Sequence, residues 1–174
     1  MGFWRKLLGK GSERDALAPL YRAVVAAARR PVWYQAGKVP DTLDGRFDMV
    51  AGILSLVLLR LEREGEPGRA PSALLTEIFV DDMDGQLRQQ GIGDIVVGKH
   101  IGRMMSALGG RLGAFREAFG GGGLDDVIVR NLYRGEAPDP AALAVVRDGL
   151  LTLDAALTAT PVGEMLDGAW RDHV

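Results

Sequence analysis

Met49-Val50-Ala51-Gly52-Ile53-Leu54-Ser55-Leu56-Val57-Leu58-Leu59, closed by Arg60, is the longest apolar run in the chain. A helix that crosses a bilayer needs about 20 such residues, so this run reads as a buried helix of a globular core. Extended outward, the helical pattern starts near Thr42 or Leu43 and reaches Glu64, with Phe47, Val50, Leu54, Val57, Leu58 and Leu61 at helical spacing. Apolar surface nearly all round marks a helix enclosed by others. The expected fold is therefore all-α, a bundle of about six to seven helices around this central one.

The flanks fit that reading, and nothing in them alternates like a strand ladder. Upstream, a helix is expected from Glu13 to Arg30, capped by Ser12 and ended by Pro31, with Leu17, Leu20, Tyr21 and Val24 on its apolar stripe. The connector "VWYQAGKVPD" reads as a loop, in which Trp33 and Tyr34 are lids over the core or exposed contact groups. Downstream, "REGEPGRAPS" reads as a loop, and Ser72 as the cap of a third helix to Gln90 that buries Leu75, Phe79, Met83 and Leu87. A fourth helix is expected from Ile95 to Phe119, stopped by the glycines at 120–123. A short helix over 125–133, another over 140–157 and a last turn or helix after Pro161 complete the chain. In domain terms, residues 1–11 form a basic amphipathic segment, 12–135 the main helical domain, and 136–174 a helical segment packed on it.

At 174 residues and 18.7 kDa, with 47% hydrophobic residues and mean hydropathy +0.05, the chain can bury a proper core without staples. A formal charge of -2 gives no global attraction to nucleic acid. The absence of cysteine excludes disulfides and a thiol nucleophile, and His100 and His173 make no sequence-local zinc cluster, so no metal or cofactor is expected. The start, "MGFWRKLLGKG", lacks the apolar segment of a secretory signal. It suits a short basic contact with a membrane surface through Phe3 and Trp4, or a locally packed terminus.

Three stretches invite chemistry. "GIGDIVVGKH", 91–100, nearly spells a phosphate loop through Gly93, Gly98 and Lys99, but His100 replaces the magnesium-binding hydroxyl and no strand precedes it. The plainer reading is a turn between helices, with Gly91 and Gly93 bending the chain and Asp94 capping the next helix. "DDMDG" resembles a calcium loop, yet the register with Gly85 sixth puts Val80 first and Gly91 twelfth, where neither ligates. As a helix it places Glu77, Asp81, Asp84 and Arg88 on one side and Asp82 elsewhere, an acidic face that Lys99 and Arg103, flanked by Arg111, can pair from the next helix. "VPDTLDGRFDM" gathers Asp41, Asp44, Arg46 and Asp48 at a helix start, where Asp41 or Thr42 can cap and no nucleophile accompanies the acids.

In order and spacing, "VPDTLDGRF", "DMDGQLRQQGIGDIVVGK" and the following "GRLGAF" resemble the ubiquinol-cytochrome c chaperone family over Leu20 to Phe119. The motif positions are Pro40 to Thr42, Asp44 to Phe47, Asp82 to Asp84, Leu87, Arg88, Gly91, Gly93, Asp94 and Val97 to Lys99, continued by Gly110, Arg111 and Phe115. One departure falls at Leu108-Gly109, where relatives often carry a bulkier aromatic residue. The resemblance implies an all-helical, non-enzymatic assembly factor that binds cytochrome b before ubiquinol-cytochrome c reductase is complete. Mitochondrial relatives work with a small partner protein near the ribosome; a chain without a transit segment looks like a bacterial relative, cytoplasmic or peripheral at the inner face of the plasma membrane.

The residues expected to meet a partner are Trp33, Tyr34, Asp41, Asp44, Arg46, Phe47, Asp82, Asp84, Arg88, Asp94, Lys99 and Arg103. Met104 and Met105 add adaptable apolar surface. Two other classes stay open on the sequence: a small-ligand or nucleotide-binding enzyme using Lys99, and a peripheral membrane adaptor acting through "FWRKLL".

Overall fold

The computed structural model describes residues 2–89 and 94–170, with side chains at 13–86, 88 and 101–170. The elbow at Gly91 and Gly93, the side chains of Asp94, Lys99, Phe3 and Trp4, and His173 lie outside the described residues. The first helix, α1, is Gly2–Ala28. It begins well before Glu13, so Ser12 is interior rather than a cap, and it accommodates Pro19 within its length. Pro31 opens a single-turn helix, α2, Pro31–Gln35, where a loop was expected; Arg30 before it is extended, as a residue preceding proline must be.

Thr42 caps α3, Leu43–Glu62, its hydroxyl accepting from the Gly45 amide at 3.1 Å. Every residue from Asp48 to Leu61 is buried, so the apolar run is the central helix. Packed on it are α4, Glu66–Gln89, and α5, Asp94–Phe119. The start of α4 corrects the expected loop. Pro67 and Pro71 sit in its first two turns, and the Ser72 hydroxyl donates to the Gly68 carbonyl at 2.8 Å instead of capping. The corner from α3 needs glycine at 68, where a Cβ would lie 1.9 Å from the Leu61 carbonyl oxygen.

The chain continues through α6, Leu124–Leu132, and α7, Pro140–Ala159, whose first turn is capped by Asp139 accepting from the Ala142 amide at 2.9 Å. It ends in α8, Val162–Leu166. Six longer helices and two single turns thus make an all-α bundle, with no strand among the described residues. Helices α1, α4, α5, α6 and α7 all touch α3, and Leu20, Ile53, Phe79, Phe115, Ile128 and Leu150 belong to one buried cluster. Among the described residues, no helix is long and apolar enough to cross a membrane.

Trp33 ties α2 to this core. It is 1% exposed, donates from Nε1 to the Ala27 carbonyl at 2.7 Å, and its ring fills the space where a Cβ on Gly149 would stand 2.5 Å away. Burying an indole requires such a partner for its N–H. Tyr34, half-buried, donates its hydroxyl to the Ala28 carbonyl at 2.8 Å, and burial pushes its phenol above the ordinary value. The pair seals the end of α1, and Trp33 has no surface to offer a partner, which removes it from the expected contact set.

Candidate functional site

The "VPDTLDGRFDM" segment folds into a polar cluster at the start of α3. Gly45 lets the first turn of α3 close on Pro40, for a Cβ there would fall 1.9 Å from the Pro40 carbonyl oxygen. Asp41 accepts from Arg46 Nε at 2.6 Å on the surface, and that bond holds the Asp41 carboxyl below its ordinary value. Asp44 takes Arg134 Nη1 at 2.8 Å, and Asp48, completely buried, takes Arg134 Nε at 2.7 Å and Arg111 Nη2. Four of these side chains therefore form one chain of ion pairs, Asp44 to Arg134 to Asp48 to Arg111. The Asp48 bond raises Arg134 above its ordinary value.

Arg111 is the unusual member. It is 9% exposed, and burial, joined by the neighbouring Arg134 charge, holds its guanidinium below the ordinary value against the opposing effect of Asp48. Its carbon lies 5.5 Å from the Phe47 ring centroid, within cation–π range, and Phe47 in turn meets Phe79 with centroids 5.9 Å apart. Nη2 also reaches the Asn131 carbonyl at 3.4 Å, whereas Nε and Nη1 have no acceptor. Unpaired buried donors are costly enough that few native positions retain them.

A groove of about 620 Å³ opens beside this cluster. Helix α3 supplies Leu43, Phe47 and Val50 to its wall, α1 supplies Val25, and Arg29 comes from the turn just after α1. Met83 and Gln86 come from α4, and Arg103, Met104 and Ala107 from α5, with Arg111 at the deep end of the same α5 face. Leu43, 53% exposed, is an apolar side chain standing at the rim.

Two acids of α4, Asp81 and Asp82, meet α1, and none of the α4 acids pairs with Arg103 among the described residues, where such a pair was expected. Asp81 pairs with Arg14, and Asp82 accepts from the Tyr21 hydroxyl at 2.7 Å. Burial, then this hydrogen bond, pushes the Tyr21 phenol well above its ordinary value. Asp84 pairs with Arg88 one turn along its own helix at 2.7 Å. Arg103 has no ion pair among the described residues and faces the groove.

Of the expected contact residues, Asp44, Arg46, Phe47, Asp82 and Arg103 line one groove, while Asp84 and Arg88 lie outside it. The sequence reading missed the partners that build it. Arg134 carried no local signal, and Arg111 stood out only as a flank of Lys99 and as a motif residue.

The all-helical bundle thus carries a groove of apolar, methionine and arginine side chains, a surface suited to binding. The chain belongs to the ubiquinol-cytochrome c chaperone family, whose sequence profile matches residues 35–172. That span includes the C-terminal segment, beyond Phe119 where the motifs stop. A crystal structure of the Cbp3 homolog from Brucella abortus is similar at 26% identity and a TM-score of 0.77, covering 95% of this chain and 94% of that one. Among curated protein sequences, none matches the chain. By family the protein is a chaperone, an assembly factor.

Proposed function

We propose that this chain is a non-enzymatic chaperone that holds cytochrome b during biogenesis of ubiquinol-cytochrome c reductase, working peripherally at the cytoplasmic face of the membrane. The observation that carries the reading is the convergence of motif segments distant in sequence. Arg46 and Phe47 from the first, Asp82 and Met83 from the second, and Arg111 from the third all line the one groove. An assembly factor for a membrane subunit has to cover apolar surface without fixing one geometry, and two methionines beside an exposed Leu43 suit that task.

Within this reading Phe47, Arg46 and Arg103 are contact residues, and Asp44 holds Arg134 in place beside them. Purifying the tagged protein from membranes should co-purify cytochrome b, and deleting its gene should deplete assembled reductase. A protein that never recovers cytochrome b, in cells whose reductase assembles normally without it, has another role.

A further inference from the structure

The groove has charge left over. Five arginines line it, Arg29, Arg46, Arg103, Arg111 and Arg134, against three aspartates, Asp44, Asp48 and Asp82. Adding Asp41, which holds Arg46, still leaves the arginines in excess. Neither Arg29 nor Arg103 has an ion pair among the described residues, and both stand exposed on the groove, Arg29 just past the end of α1 and Arg103 on α5. Beneath them Arg111, more than nine-tenths buried, keeps Nε and Nη1 without acceptors. These two atoms are closed off from water, and the partly exposed ring against the guanidinium is Phe47, the side chain an occupant would displace to reach them.

We infer that the groove receives a short amphipathic segment of the client chain in which a carboxylate interrupts apolar side chains, the carboxylate being chosen by Arg103 and Arg111. A carboxylate supplies the acceptor that Arg111 lacks and the charge that Arg103 lacks, and charge-assisted bonds of this kind are the strong ones. The apolar side chains rest on Val25, Leu43 and Met104. A hydrocarbon tail fits less well, because polar groups stand all round the groove: Arg29 at the end of α1, Asp44 on α3, Gln86 on α4, Arg103 on α5. The inference rests on the chaperone reading but not on the identity of the client.

The test uses the full chain and two sets of peptides read by fluorescence anisotropy. One set covers the extramembrane segments of cytochrome b; the other holds unrelated amphipathic peptides, each made with Glu, Gln or Lys at one boundary position. The Glu forms should bind about tenfold or more tighter than the Gln forms, with the Lys forms weakest. Arg103→Glu, at an exposed position that leaves the helical spectrum intact, should invert that order. Arg111→Lys, which keeps the charge but loses the planar donors, should narrow the gap between Glu and Gln. Equal binding of the three forms, or an order that Arg103→Glu leaves unchanged, overturns the inference, as does complete displacement of every peptide by laurate. Cytochrome b peptides that bind without acidic preference sink the inference and keep the client; unrelated Glu peptides that obey the order while no cytochrome b peptide binds do the reverse.

Discussion

Asp48→Asn replaces one atom in a side chain that is wholly buried and accepts a charged hydrogen bond from each of two arginines. The two arginines are not equally exposed to the loss. Arg134 is half in water and keeps Asp44 at 2.8 Å, so its charge remains answered. Arg111 has no other carboxylate among its described partners and two donors already without acceptors. Removing one member of a buried pair typically costs about 3–5 kcal/mol, because the charge left behind is uncompensated. The remaining amide oxygen and the screened Arg134 side place Asp48→Asn near the lower end, about 3 kcal/mol. For a chain of this length that is a fall of about 6–12 °C in the thermal midpoint.

Urea and thermal unfolding followed by far-ultraviolet circular dichroism would read this directly. Asp41→Asn is the control, since its pair with Arg46 is exposed on both sides and should leave the midpoint unmoved. Asp48→Leu combined with Arg111→Met should recover the parental stability or exceed it, because apolar replacement of a buried pair removes two desolvation costs together. An Asp48→Asn midpoint within experimental error of the parent, or a double variant no better than the single one, would refute the account of this cluster.

Gly45→Ala should destabilise by about 1–3 kcal/mol or more by driving a methyl onto the Pro40 carbonyl oxygen 1.9 Å away. Gly102→Ala, a helical position with nothing within 4 Å, should instead gain about 0.5–1 kcal/mol; the reverse order in urea melts would contradict the described first turn of α3. All three tyrosines are raised by burial, Tyr133 from 10.0 to about 12, so ultraviolet titration of the folded protein should show no tyrosinate at the ordinary value. Because the folded state holds these protons longer, their contribution to stability is complete below about pH 10 and is lost as pH climbs toward 12. A tyrosine ionising near 10 before unfolding would count against it. Tyr21→Phe should cost about 1 kcal/mol by leaving Asp82 without its donor, readable as a shift in the urea midpoint without loss of helix.

The helices with strong apolar periodicity were legible in the sequence, and α3 and α5 lie within a residue or two of where the pattern puts them. Short or proline-bearing pieces were not. Pro67 and Pro71 read as loop signals, yet proline early in a helix forfeits few hydrogen bonds, and the Gly68 contact with Leu61 turns the chain straight into α4. Five residues of α2 are too few to show a period. The first motif could be read as caps and paired charges, and Thr42, Asp44 and Arg46 act that way. What a single sequence cannot supply is the far partner. Asp48 finds Arg111 63 positions away and Arg134 86 away; nothing local singles Arg134 out of 21 cationic residues, and the motif that contains Arg111 does not point to Asp48. That Asp81 and Asp82 meet α1 and not Arg103 has a related reason: a helix in a bundle has several neighbours, and the turn that follows it does not say which face meets which.

Whether the groove holds cytochrome b can be asked in the cell. A photo-crosslinking amino acid at Met104, which lines the groove, should yield an adduct with cytochrome b, detected by antibody, in cells assembling the reductase. The same group at Leu151, 45% exposed on α7 and outside the groove lining, should yield none. Adducts from Leu151 but not Met104 would move the client to another surface, and adducts from neither would contradict the central claim.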